Sequence, residues 1–233
     1  MKIIVGVESD RQYESALSLL ARLQFANNDY LSAVPTDKSA IPVSQPHTHL
    51  LPGASSVLTS VRRGPAVMEK PVDEDSSYLV WNDQSASLGP VRCVFATDHS
   101  PYCAGALDEF LSLDPAGIEE MTVFTAIETT TRMIAASLHR HLSDGTASIL
   151  DVRSVAERGA DLVLRIEARG IKSTSRLRTG HVPHLIDAAM KETDSELLII
   201  GARGQGENAP MSIGSIASSM IQCANYPVLV LRA

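Results

Sequence analysis

The hydrophobic pattern is clearest toward the C-terminal end of the chain. Leu197-Leu198-Ile199-Ile200 is an unbroken apolar run ended by Gly201, as in a parallel strand covered on both faces. Farther on, Ser215–Cys223 places Ile216, Met220 and Cys223 at i, i+4 and i+7, which predicts a helix with one apolar face. Asn225-Tyr226-Pro227 is a turn signal, and Val228-Leu229-Val230-Leu231 reads as a closing strand. Upstream, His181 to Lys191 carries Val182, Leu185, Ile186, Ala189 and Met190 at helical spacing. Ser154 to Arg169 has Val155, Leu162, Leu164 and Ile166 among charges, an amphipathic helix. Val91 to Ala96 and Met121 to Ile127 read as strands, with a helix from Tyr102 to Leu113 between them. Strands alternating with helices predict an α/β fold: a parallel open sheet with helices on both faces.

The first ninety or so residues echo this order in shortened form. Lys2 to Val7 reads as a strand, Arg11 to Phe25 as a helix with Ala16, Leu19, Leu20 and Leu23 on one face, and Tyr30 to Val34 as a second strand. Thr36 to Pro52 has no period and reads as a loop. Gly53 to Val61 followed by Arg63 to Met68 parallels Gly214 to Ile221 followed by Asn225 to Leu229: a glycine and small residues, an apolar helix face, a proline, a strand. Glu69 to Pro90 then reads as a connector, with Tyr78 to Trp81 as a candidate short strand. Two units are expected, a truncated copy over residues 1–85 and a complete one over 91–233.

Composition narrows the chemistry. The net charge of −7, without a local basic cluster, argues against nucleic acid, which needs cations massed on one face. The three cysteines, Cys93, Cys103 and Cys223, form no CxxC pair and point to a reducing, cytoplasmic setting. The apolar run at the N-terminus is too short for a signal peptide, and no run reaches membrane-span length. His47 and His49, with His139 and His141, sit at i, i+2, a spacing that rarely converges on a metal, so no metal site is expected.

The stretch that carries chemistry is Gly201-Ala202-Arg203-Gly204, followed by nine residues and Gly214-Ser215. It lies between a buried strand and a helix N-terminus, at the carboxyl edge where open α/β sheets bind ligands. Glycines admit an anion close to the backbone, and the helix beginning near Ser215 offers unpaired N–H groups and a positive dipole end. Arg203 adds a charge. Neither a Walker A ending nor the dinucleotide glycine fingerprint fits.

Gly201-x-x-Gly204-x9-Gly214-Ser215 resembles the nucleotide loop of the universal stress protein family in its ATP-binding branch. Ala96-Thr97-Asp98-His99-Ser100 with Ala104 to Leu107, Gly180-His181-Val182-Pro183, and Pro227-Val228-Leu229-Val230 resemble three further landmarks of the same family, in order. The resemblance implies an adenine nucleotide alpha hydrolase-like fold in two copies, the first truncated. It implies bound ATP, ADP or AMP, with or without Mg2+. Thr97 and Asp98 would face the adenine or ribose, and Ala126 or Ile127 would pack on the ring. Ile200 and Gly201 would approach base and ribose, while Gly204, Gly214, Ser215 and Ile216 would hold phosphates, with Arg203 alongside. Family members pair through their last strands, so Pro65 to Met68 pairing with Pro227 to Leu231 would give an intrachain pseudo-dimer, with or without a further homodimer.

Three residues depart from the family pattern. His99 replaces a glycine, Cys103 stands where serine is common, and Glu207 is an acid within the phosphate loop, which leaves the number of phosphates open. Asp98 suits either a helix cap or a ligand contact. Cys103 is either a small buried hydrophobe or a redox sensor. The functional expectation is a nucleotide-binding regulatory protein. The alternatives are a slow ATPase or phosphotransferase and a nucleotide-free scaffold.

Overall fold

The computed structural model describes residues 2–6, 10–25, 76–81, 89–127, 147–204 and 213–232. The chain runs β1 (Lys2–Gly6), α1 (Asp10–Leu23), β2 (Ser76–Val80), β3 (Val91–Ala96), α2 (Pro101–Ser112) and β4 (Ile118–Ile127). It continues with α3 (Ala147–Glu167), β5 (Lys172–Thr179), α4 (Val182–Glu192), β6 (Leu197–Gly201), α5 (Ser215–Cys223) and β7 (Val228–Leu231). The strands form one seven-stranded sheet in the order β1-β2-β7-β6-β3-β4-β5. Every neighbouring pair is parallel except β2 and β7.

Period-two alternation sorts the strand side chains onto two cores. Cys93 and Phe95 of β3, Leu197 and Ile199 of β6, and Leu229 and Leu231 of β7 face a cluster built with α1, α2 and α3. Val94, Ala96, Leu198, Ile200, Val228 and Val230 face the opposite cluster, built with α4 and α5. Because both faces are covered, β6 and β7 read as continuous apolar runs, and all their residues are buried. Each large aliphatic or aromatic side chain buried this way contributes about 1.5–3 kcal/mol.

One strand escapes the sequence reading. β5 is Lys-Ser-Thr-Ser-Arg-Leu-Arg-Thr, an edge strand paired only with β4 among the described residues, and most of its side chains are exposed. An edge strand carries charge instead of an apolar face, so its pattern gives no period-two signal. Arg178 pairs with Glu192 across the surface, which holds the Glu192 carboxyl below its usual range.

The outer edge of β7 is taken by β2: Tyr78, Leu79 and Val80 stand antiparallel against Val230, Leu229 and Val228. Ser77, Leu79, Val80 and Trp81 are buried, in keeping with the short strand expected at Tyr78 to Trp81. Residues 65–68, together with the expected strand Tyr30 to Val34 and the helix from Gly53 to Val61, lie outside the described residues.

The N-terminal elements share the first core. Ala16, Leu19, Leu20 and Leu23 of α1 join Phe25, Leu79 and Trp81 in it, and the Phe25 ring meets Phe110 edge-on at 6.1 Å. Arg22 donates to the carboxylate of Glu196 and, at 2.7 Å, to the carbonyl of Gly89. At the end of α1 the Gly117 N–H donates to the Leu23 carbonyl at 3.0 Å. A β-carbon on Gly117 would stand 1.6 Å from the Arg22 carbonyl oxygen, so a side chain there has to push α1 off the sheet. Among the described residues no helix is long and apolar enough to cross a membrane.

Gly117→Ala is therefore expected to lower unfolding stability by about 1–3 kcal/mol, the usual cost of overpacking. Gly89→Ala, where a new β-carbon meets nothing within 4 Å, should stay within about 0.5 kcal/mol of the parent. Urea titration of both variants checks the pair. Equal stability of Gly117→Ala and the parent would mean that α1 does not dock as described.

Candidate functional site

The carboxyl ends of β3 and β6 lie side by side, and the chain leaves them in opposite directions. β3 feeds α2 and then β4 on one side, while β6 feeds α5 and then β7 on the other. That divergence opens a crevice between the two connections. The crevice encloses about 450 Å³, within the range of small-molecule pockets.

The β3 side is a tight polar turn. Thr97 extends the ladder by donating its N–H to the Phe124 carbonyl at 3.0 Å. Its hydroxyl accepts the His99 N–H at 3.0 Å, and the Asp98 carboxylate accepts the Ser100 N–H at 2.9 Å. The cap of α2 is Ser100, whose hydroxyl accepts the Cys103 N–H at 3.1 Å. Asp98 is thus a turn residue and not the helix cap. His99 has φ +57°, the left-handed region, where glycine fits at lowest cost. Its ring turns away from the crevice, with Nε2 2.8 Å from the Thr125 hydroxyl. Burial, then the nearby Arg158, hold its pKa below the ordinary histidine value.

The β6 side explains two glycines. A β-carbon on Gly204 would stand 2.6 Å from the Asp98 carboxylate, and one on Gly201 would stand 2.7 Å from Cys103 Sγ. Gly204 lets the turn before α2 press against the loop after β6, and Gly201, at the end of β6, lets the first turn of α2 approach. Arg203 lines the crevice with its Nε buried and without a hydrogen-bond partner. The N-terminus of α5 follows. Gly214 is its N-cap and supplies no side chain, while its carbonyl accepts the Ser218 N–H at 2.8 Å. The amides of Ser215, Ile216 and Ala217 have no intrahelical acceptor, and all three residues line the crevice. The Gly214 N–H is already committed, donating to the Ala202 carbonyl at 2.7 Å. Gly214 thus shapes the cradle without donating to it.

Of the residues singled out in the sequence, Thr97, Asp98, Ala126, Ile200 and Gly201 line the crevice, as do Arg203, Gly204, Gly214, Ser215 and Ile216. Ile127 does not. On a strand it points opposite to Ala126, and its carbonyl accepts the Gly180 N–H instead. The sequence reading missed Phe124, Val182 and Ile186, which complete an apolar wall. Phe124 was available from the period of two through Ala126. Val182 and Ile186 belong to the helical stripe that reads equally well as plain core. His47, His49, His139 and His141 lie outside the described residues, and among the described residues no group of three potential ligands could hold a metal ion.

Cys103 is buried, and its thiol donates to the Arg203 carbonyl at 3.4 Å. Burial, then the Asp98 charge, push its pKa up to about 11, and burial raises that of Cys93 as well. A thiol held protonated is a poor nucleophile, which favours the small buried hydrophobe over the redox sensor. The folded state keeps this proton where the unfolded chain loses it, so stability should fall as pH rises from 9.0 toward about 11. Alkylation of the native protein at neutral pH, read by mass spectrometry, should modify exposed Cys223 first and leave Cys93 and Cys103 until unfolding. Early modification of Cys103 would contradict the buried placement.

Comparison with known proteins agrees with this architecture. The family model described as Universal stress protein family matches residues 91–232, more than half of the chain. No curated protein sequence matches it. The structure of the hypothetical protein MJ0577 is similar at TM-score 0.50 and 18% identity, covering 63% of this chain and 98% of that one. A functionally unknown protein from Pseudomonas aeruginosa PAO1 is similar at TM-score 0.54 and 12% identity, covering 99% of this chain and 92% of that one. A universal stress protein family protein from Arabidopsis thaliana, solved with AMP bound, is 15% identical at TM-score 0.41, covering 60% and 90%. At these identities the two likenesses at TM-score 0.50 and 0.54 speak to fold alone, and the family assignment rests on the sequence model: the chain belongs to the universal stress protein family.

Proposed function

We propose that the crevice binds an adenine nucleotide, ATP, ADP or AMP, and that its occupancy is what the protein reports to a partner. The observation that carries this reading is one crevice lined by two unlike sets of groups. The apolar set, with Ala96, Phe124, Ala126, Val182, Ile186 and Ile200, suits a planar base. The other set, Gly204, the uncapped amides of Ser215, Ile216 and Ala217, and the Arg203 cation, suits phosphate. Thr97 and Asp98 line the same crevice, with the Asp98 carboxylate against Gly204, and offer polar contacts for a ribose. Should ATP be the ligand, any Mg2+ would arrive with the phosphates, and Asp98 is the carboxylate beside them.

Residues 1–85 are read as a degenerate copy and 91–233 as the complete domain. In this reading β2 stands where a second subunit's strand would pair with β7, which makes the chain an intrachain pseudo-dimer; the antiparallel pairing of Leu79 with Leu229 supports it. The unpaired cysteines support a cytoplasmic setting.

Mass spectrometry of ligand carried through purification is expected to find ATP, ADP or AMP, and Gly204→Val, which drives a side chain into the Asp98 carboxylate, is expected to lose it. A second variant separates folding from binding. Ser215→Asp places a negative charge on the first turn of α5, which favours the helix but repels phosphate. It should keep the melting temperature and weaken ATP binding by at least about ten-fold in calorimetry. A parent protein that is empty and ignores added adenine nucleotides would overturn the reading. Full affinity in Ser215→Asp would displace the phosphates from this helix.

A further inference from the structure

The first turn of α2 brings against Arg203, which lines the crevice, a side chain that the nucleotide reading does not use. Tyr102 follows Pro101 and packs, half-buried, against the second core. The guanidinium carbon of Arg203 stands 5.4 Å from the centre of its ring, inside the roughly 6 Å over which an aromatic face attracts a cation. Arg203 forms no ion pair among the described residues, and its Nε is buried with no hydrogen-bond partner. That nitrogen has given up water without gaining an acceptor, a state that favours binding an anion.

From Gly201 to Ser215 the sequence contains one basic residue, Arg203. Any cationic contact that this loop makes to a phosphate therefore comes from that side chain. A long arginine on a loop spreads over many rotamers, and ordering it on binding costs affinity. The Tyr102 ring meets part of that cost beforehand.

We propose that Tyr102 is a positioning residue for phosphate recognition: its ring holds the Arg203 guanidinium at the crevice before ligand arrives, and so lets the site tell a nucleotide from a nucleoside. The proposal rests on the nucleotide reading of the same crevice. The ring face makes the contact, so phenylalanine can replace tyrosine here and an aliphatic side chain cannot. Tyr102 also packs against the core, and the test has to separate the two roles.

Isothermal titration calorimetry of the full chain with AMP and with adenosine separates them. Tyr102→Leu is expected to weaken AMP binding about three- to ten-fold, the range of a partly desolvated cation–π contact, and to leave adenosine within about two-fold. Tyr102→Phe should restore AMP affinity. In an Arg203→Met background, Tyr102→Leu should cost nothing more for AMP. Equal losses for AMP and adenosine, no rescue by phenylalanine, or a Tyr102→Leu effect that persists without Arg203 would each overturn the proposal. AMP binding that ignores Tyr102→Leu would remove this proposal alone. A parent protein that binds neither ligand would remove the nucleotide reading beneath it.

Discussion

The N-terminal turn of α5 presents amides that no side chain caps, because its N-cap is Gly214. An uncapped turn in solvent is ordinary, since water satisfies it. Here the turn faces a crevice lined largely by apolar side chains, and the turn's own positive dipole end adds to the charge of Arg203. The rest of the carboxyl edge is arranged around that opening. Gly204 lets the turn before α2 close against the loop from β6, Gly201 lets the first turn of α2 approach, and the Gly214 N–H ties that loop back to Ala202. The seven-stranded sheet matters to function chiefly because it holds β3 and β6 in register, so that these two loops meet.

The N-terminal segment acts at the other end of the molecule. Its helix docks through Gly117 and Arg22, and β2 covers the edge of β7. An exposed edge strand of Val-Leu-Val-Leu would be a template for association. In this chain the template is occupied from within. This gives the N-terminal segment a physical task that needs no ligand of its own.

Legibility from sequence followed burial. β3, β4, β6 and β7 are covered on both faces and announce themselves as apolar runs, and the spacing of Gly201, Gly204 and Gly214 places the phosphate end without coordinates. β5 was silent because an edge strand needs no apolar face. The short strand at Tyr78 to Trp81 was legible as a candidate, but nothing in its pattern named β7 as its partner. Side-chain direction within the site was only half legible. Ala126 and Ile127 stood as equals in the sequence, and only the register of β4 turns one toward the crevice and the other away. That the Gly214 amide is already spent, or that Arg203 lies against Tyr102, belongs to tertiary geometry and has no sequence signal.

The central claim is that main-chain amides of α5 receive phosphate. Backbone NMR of the labelled protein during titration with AMP and, separately, with adenosine tests it most directly. The account predicts large amide shifts at Ser215, Ile216 and Ala217 with AMP, much smaller ones there with adenosine, and shared shifts near Ala126 and Ile200 for both. Amides of that turn that stay still while AMP binds would contradict it.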